Sequence, residues 1–268
     1  MSAPAPTQQT GWSPTVVLAL LISEFRKTFS TAAWWALLIP AVVLCALVGL
    51  ALAEIGGLTF SAPAPQALAL SSFGSKFAVV FGVVCASSEF RHRTITTSYL
   101  TAPGRPQLLV AKVVVAAVVG AGYGLACWIL GLLGILAGGG QMTSDELSSM
   151  LAIGAVGMMV FALWAVIGVG VGTLIDNQVG AILGVLVYLL LAEGLITGVA
   201  RFTDTGQIDE FLPGGSAAWA LQGLVDNGAF SLSTGSPLPW WLALLIFFGY
   251  ALVAVLAGAA VAQTRDVT

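Results

Sequence analysis

Residues 113–137 read VVVAAVVGAGYGLACWILGLLGILA, a run without a single charged side chain. A helix rises about 1.5 Å per residue, so this run can cross a hydrocarbon core about 30 Å thick. The rest of the chain has the same character, because 58% of its 268 residues are hydrophobic and 8% are charged. A soluble domain carries about 25% charged residues. The sequence therefore predicts a membrane protein with several spanning helices.

The same length criterion selects further runs on both sides of residues 113–137. Polar or turn-forming residues separate them, among them Gly138-Gly139-Gly140 and Ser236-Pro237-Leu238-Pro239. We predict an all-α protein with six spans, at residues 32–52, 68–88, 113–137, 150–175, 179–199 and 240–262. This division gives a cytoplasmic N-terminal segment 1–31, a transmembrane domain 32–262 and a cytoplasmic tail 263–268. An outer loop occupies residues 200–239, and residues 217–225 within it predict a short re-entrant or surface helix.

Basic residues fall on one side of these spans, which fixes the predicted orientation. Lys and Arg are retained in short cytoplasmic loops. The residues on that side are Arg26, Lys27, Arg91, Arg93, Arg105, Lys112 and Arg265. We therefore predict a multi-pass protein of the plasma (inner) membrane with both termini in the cytoplasm.

The segment before the first span contains Val17, Leu20, Leu21 and Phe25 at helical spacing, followed by cations. This pattern indicates an amphipathic helix that lies in the cytoplasmic membrane interface. The alternative is that the segment is the frayed start of the first span.

Several classes of activity lack the residues they need. His92 is the only histidine and the three cysteines lie inside apolar runs, so we predict no metal site. No lysine follows a glycine-rich phosphate loop, so the chain is predicted to bind no nucleotide and to be no enzyme. The net charge of −3 and the lack of a long basic block argue against nucleic acid as a partner.

Residues 88–112 read SEFRHRTITTSYLTAPGRPQLLVAK and hold four of the nine Lys and Arg residues. The segment connects the second and third spans, and the sequence around Pro103 and Pro106 predicts a turn before the third span. A cationic loop of this kind can dock a soluble partner. It can also do no more than fix the topology, and the charges alone do not separate these alternatives.

This segment resembles the coupling loop of ABC-2 type permeases, the membrane subunits of ATP-driven exporters. The residues that match the order of the family motif are Glu89, Arg91, Thr94, Ile95, Pro103, Arg105 and Lys112. The resemblance extends over the whole chain, including the turn at residues 175–182 and the outer segment 211–215. The chain departs from the pattern at Arg93, where family members often have Gly, and at Asp176, where they often have a basic residue.

The resemblance implies a function and a set of partners. The loop 89–112, with His92 and Arg93, would couple the chain to a cytoplasmic ATPase present in two copies, which binds ATP and Mg. A second permease chain, identical or related, would complete the path through the lipid bilayer. This chain would bind no cofactor itself and would export a hydrophobic or amphipathic compound.

Lys76 and Glu193 are ionisable residues inside predicted spans, where buried charge is costly and commonly functional. Counting along each span places both at similar depth in the outer half. They are therefore pathway candidates that gate the path or contact substrate. In the alternative without a functional role, Lys76 extends to the outer interface and Glu193 is merely interfacial.

Two other functions remain open at this stage. The chain can be a non-transporting membrane anchor or sensor that recruits a cytoplasmic protein through the basic loop. It can also be an ion-driven secondary transporter, although such transporters usually need several intramembrane acids and only Glu193 qualifies.

Overall fold

The computed structural model describes residues 14–56, 68–69, 72–91, 104–140, 144–175, 177–203, 208–225 and 238–264. All regular secondary structure in these ranges is helical, which confirms the predicted all-α class for this part of the chain. Its α-helices are α1 (Pro14–Ser30), α2 (Ala33–Gly56), α3 (Ser75–Arg91), α4 (Arg105–Ala137), α5 (Leu147–Leu174), α6 (Gln178–Val187), α7 (Glu193–Phe202), α8 (Pro213–Gln222) and α9 (Trp240–Thr264). A π-helical turn, Tyr188–Ala192, joins α6 to α7.

Five helical segments are long and apolar enough to cross a membrane. They are Ala33–Glu54, Pro106–Ala137, Leu147–Leu174, Gln178–Ala200 and Trp240–Thr264. Each corresponds to one of the predicted spans. The length and composition of these helices support a membrane-embedded protein.

The second predicted span, 68–88, is shorter and less regular than expected. Leu68 and Ala69 are helical, Ser72–Gly74 forms a 3-10 turn, and α3 begins only at Ser75. The 17 residues of α3 cover about 26 Å at 1.5 Å per residue. Polar residues at its start, Ser75 and Lys76, line a cavity, and irregular backbone within a bilayer is stable where it lines a cavity.

The third span begins earlier than predicted, at Arg105 instead of residue 113. Pro106 lies in the first turn, where its fixed φ favours the helix and its missing N–H costs nothing. Lys112, taken as the polar boundary of the span, lies inside the helix and forms a buried ion pair with Glu24. Hydropathy alone ends a span at such a lysine, whereas the paired charge allows the helix to continue.

Helix α5 is the centre of the bundle and packs against α3, α4 and α9. Half of the residues in the apolar stretch of α5 are buried, against 17% of those in the corresponding stretches of α2 and α9. The Trp164 ring packs on Phe247 of α9 with centroids 4.9 Å apart. Helix α5 is therefore the central helix against which α3, α4 and α9 pack.

Pairs of glycines in the sequence predict close packing between helices. In the structure these glycines fall into two groups, which differ in whether another helix lies against them. A methyl group on Gly172 of α5 would lie 2.7 Å from the Val83 carbonyl of α3, and one on Gly120 of α4 would lie 2.7 Å from the Phe161 carbonyl. In contrast, a methyl group on Gly184 or Gly194, in the segment α6–α7, would meet no atom within 4 Å. The glycines of the first group allow α3, α4 and α5 to pack closely. Those of the second group lie on a side of the fifth span where no described atom is within 4 Å.

The segment before the first span is a helix, α1, as predicted, but its faces differ from the expected pattern. Val17, Leu20 and Leu21 are half-buried, and the buried residues are Glu24 and Thr28. An exposed apolar row follows a neighbouring side of the helix and consists of Leu18, Ile22, Phe25 and Phe29. The side of α1 that packs on α4 therefore combines apolar residues with the buried Glu24 and Thr28, and a second apolar row is exposed.

The outer segment contains a helix as predicted, although α8 begins at Pro213 and not at residue 217. Its residues Ala217, Ala220 and Leu221 are buried, and it packs mainly against α9. The Tyr250 hydroxyl of α9 donates a hydrogen bond to the Phe211 carbonyl at 2.9 Å, just before α8. Helix α8 is therefore an integral part of the bundle.

Candidate functional site

A cavity of about 240 Å³ lies where α8 meets the start of α3. We call this end of the bundle the α8 end, and the end where α1 packs on α4 the α1 end. The cavity wall combines residues of α3, α5, α7, α8 and the turns before α3 and α7. They are Ala69, Ser72, Phe73, Ser75, Lys76, Val160, Leu189, Glu193, Gly214, Ala217, Ala218, Leu221 and Gln222.

Lys76 lies in the first turn of α3 and is half-buried. Its ammonium nitrogen is 4.4 Å from the centroid of the Trp164 ring, a cation–π contact. No hydrogen bond or ion pair to Lys76 exists within the described ranges. The Trp164 indole N–H is itself buried without an acceptor there. Two strong donors are therefore left without acceptors in this region.

Glu193 is the first residue of α7 and is buried. Its Oε1 accepts hydrogen bonds from the backbone N–H groups of Gly214 at 2.6 Å and Gly215 at 3.3 Å. These N–H groups open α8 and have no acceptor within a helix. Leu212, at the N-cap position, supplies no side-chain cap. Glu193 therefore caps α8 from another helix, where the helix dipole also favours its negative charge.

Gly214 permits this contact because it has no side chain. A methyl group there would lie 2.8 Å from Cδ and 2.9 Å from Oε1 of Glu193, closer than non-bonded atoms approach. A side chain at position 214 would therefore displace the carboxylate from its present position.

The structure brings both sequence-predicted pathway residues, Lys76 and Glu193, to one cavity. It does not join them, since the ion pairs of the described residues include none between the two. Glu193 Oε1 accepts hydrogen bonds from α8, and the Lys76 ammonium faces the Trp164 ring. A gate or substrate role for the two residues stays a prediction.

The π-helical turn Tyr188–Ala192 is a site feature that sequence reasoning missed. It directly precedes Glu193, and Leu189 within it lines the cavity. Such turns change the register of a helix locally and often occur at functional sites. The apolar run YLLLA has no proline or glycine that signals the irregularity.

A second charged site lies at the α1 end. The Lys112 ammonium donates to Glu24 Oε2 at 2.9 Å, and the two residues are 4% and 6% exposed. Lys27 lies 3.7 Å from the other carboxylate oxygen. Burial, together with the positive charge of Lys112, holds the pKa of Lys27 below its usual range. This pair fixes α1 on α4.

Sequence reasoning selected Lys112 for the coupling loop but missed its partner Glu24, which is 88 positions away. The available signal was an acidic residue in a largely apolar helix that also carries Arg26 and Lys27. Composition identifies such a residue as unusual. It does not say which distant cation it meets.

The other residues predicted for the coupling loop are placed only in part. Glu89 and Arg91 lie in the last turn of α3, and Arg105 is the first residue of α4. Their side chains lie outside the described part of the structure. Five predicted residues lie outside it altogether, namely His92, Arg93, Thr94, Ile95 and Pro103.

No protein-family model matches this chain, and no curated protein is significantly similar to it. The resemblance to ABC-2 permeases therefore stays a prediction from the sequence.

Proposed function

We propose that this chain is the membrane-spanning permease subunit of an ATP-driven exporter. It moves a hydrophobic or amphipathic compound, such as a drug, an antibiotic or a lipid-like molecule, and a separate cytoplasmic subunit hydrolyses the ATP. The observation that carries the proposal is the buried ion pair between Glu24 and Lys112. It ties α1 to the first turns of α4, immediately after the basic loop that resembles a coupling loop.

The position of the loop between two closely packed helices supports this proposal. The loop leaves α3 and enters α4, and both helices pack closely on α5 at the centre of the bundle. A push on the loop by an ATPase therefore acts on three packed helices and on α1 together. Such a push shifts the bundle between two states when the ATPase contacts differ in those states.

The proposal assigns a topology. Six segments cross the plasma membrane, including the short α3, and both termini lie in the cytoplasm. Helix α1 lies in the cytoplasmic interface with its exposed apolar row, Leu18, Ile22, Phe25 and Phe29, towards the acyl chains. The α8 end then faces outward.

The proposal also assigns partners. Two copies of the ATPase bind two permease chains, which are identical or related, and each chain supplies half of the path. The cavity with Lys76 and Glu193 lies at the outer end of that path. ATP and Mg are bound by the ATPase.

Co-purification from native membranes tests the proposal. We expect the tagged chain to retain a stoichiometric P-loop ATPase with ATPase activity. The double substitution R91E/R105E should abolish that association, because it replaces two loop cations by acids. Arg26→Glu, an exposed charge reversal on α1, is the matched control and should retain the ATPase.

Two outcomes contradict the exporter. If the chain is recovered alone after gentle extraction, it has no ATPase partner to supply the energy for export. Recovery of a partner without ATPase activity, lost on R91E/R105E, favours the membrane anchor or sensor instead.

A further inference from the structure

The cavity at the α8 end contains a cation whose hydrogen-bonding capacity is unused within the described residues. A lysine ammonium has three N–H donors and no acceptor. Burying it without an anionic partner is costly. The Trp164 ring at 4.4 Å offsets part of that cost but accepts no conventional hydrogen bond. Among the described residues, the ammonium therefore has no anionic acceptor within hydrogen-bonding distance.

Glu193 does not supply that acceptor, although it lines the same cavity. Its Oε1 already accepts two backbone N–H groups of α8, from Gly214 and Gly215. Its negative charge lies at a helix N-terminus, which favours it there. The cavity therefore combines a carboxylate that caps α8 and an ammonium that has no hydrogen bond or ion pair among the described residues.

The size and the walls of the cavity limit what can complete it. Its volume of about 240 Å³ falls below the range of roughly 300–1,000 Å³ for drug-sized ligands. It has room for a headgroup and not for acyl chains. Ser72, Ser75 and Gln222 add polar atoms to the wall. Phe73, also in the wall, is 57% exposed, so the cavity has an exposed apolar side chain at its edge.

We propose that this cavity binds the anionic headgroup, a phosphate or carboxylate, of an amphiphile, with Lys76 as the residue that binds the anion. The apolar part of the ligand lies outside the cavity, on the side where Phe73 is exposed. The site does not depend on the exporter proposal, because headgroup binding requires neither ATP nor a second subunit.

Native mass spectrometry of the purified, delipidated full-length chain tests this site. The probes are dioleoyl phosphatidylglycerol and dioleoylglycerol, which share their acyl chains and differ in the phosphate. We expect one phosphatidylglycerol to bind with higher affinity than dioleoylglycerol. Loss of a charge-assisted hydrogen bond should weaken that lipid in Lys76→Met by about tenfold or more.

Two further variants separate the charge of Lys76 from the fold. Lys76→Arg keeps the cation and should retain most of the affinity. Arg26→Gln removes an exposed cation at the α1 end and should bind as the wild type does. If Lys76→Met fails to fold, the two lipids and Lys76→Arg still decide the question.

The source of the anion is read from competition by inorganic phosphate. Competition supports a site that takes the free anion as well, and its absence supports a site specific to the lipid headgroup. Equal affinity of the wild type and Lys76→Met overturns the proposal. So does equal affinity for the two lipids, or loss of binding in Lys76→Arg.

Discussion

Two lysine–glutamate sites lie towards opposite ends of the bundle and differ in whether the charges meet. At the α1 end, Lys112 and Glu24 are 2.9 Å apart and buried. At the α8 end, Lys76 and Glu193 share a cavity, but Glu193 caps α8 and Lys76 faces the Trp164 ring. The closed pair fixes two helices together. The open pair leaves a cation accessible to a ligand, so the same residue types serve different purposes.

Breaking the closed pair should have the largest effect on stability. Glu24→Leu leaves the Lys112 ammonium buried without its counter-charge, and we expect a loss of about 3–5 kcal/mol in the free energy of unfolding. The double variant Glu24→Leu with Lys112→Met removes both charges and should recover most of that loss. Thermal unfolding of the purified chain in detergent measures both.

Arg26→Gln is the control for this experiment, because Arg26 is exposed on the same helix. It should leave the unfolding midpoint nearly unchanged. If the double variant is as unstable as Glu24→Leu, then packing and not the buried charge governs this contact.

Removing the carboxylate that caps α8 should have an intermediate effect. Glu193→Ala leaves the N–H groups of Gly214 and Gly215 without their acceptor, at a cost of about 2 kcal/mol. Hydrogen exchange should become faster at the start of α8 and stay unchanged in α1. Glu193→Gln keeps a carbonyl acceptor and should lose less. Unchanged exchange in Glu193→Ala would show that α8 is held by its packing on α9 alone.

Removing the open cation should have the smallest effect on the ligand-free protein. Lys76→Met loses a cation–π contact but also relieves the burial of an unpaired ammonium, so the net change should stay within about 1 kcal/mol. Lys112→Met is the matched comparison, because the same replacement leaves the buried Glu24 carboxylate with only the longer contact to Lys27 at 3.7 Å. Comparable unfolding midpoints for Lys76→Met and Lys112→Met would remove the distinction between the two sites.

The sequence predicted the helices whose signal is local. Five apolar runs became helices of spanning length, because length and composition decide them residue by residue. The second predicted span, 68–88, begins before the regular helix α3. Ser72 and Ser75 line a cavity, but two serines are too few to lower the mean hydropathy of the predicted span. Likewise, Lys112 was predicted to precede the third span, whereas in the structure it lies inside helix α4.

The parts of the site that depend on distant contacts could be predicted only in outline. The similar depth predicted for Lys76 and Glu193 agrees with the cavity that both residues line. The capping of α8 by Glu193 and the Glu24 partner of Lys112 depend on packing between segments far apart in the chain, which no periodic pattern records. The π-helical turn leaves no signal in YLLLA, because its residues also suit a regular helix.

The ion pair between Glu24 and Lys112 also bears on how the protein is made. Translation produces α1 before α4, so the carboxylate is present at the membrane when the lysine-bearing segment leaves the ribosome. A lysine in an inserting helix is unfavourable, by up to about 3 kcal/mol at the centre of the span and by less towards its ends, and a counter-charge that is already present lowers that cost. We therefore expect the N-terminal helix to assist the insertion of a span that is synthesised long after it.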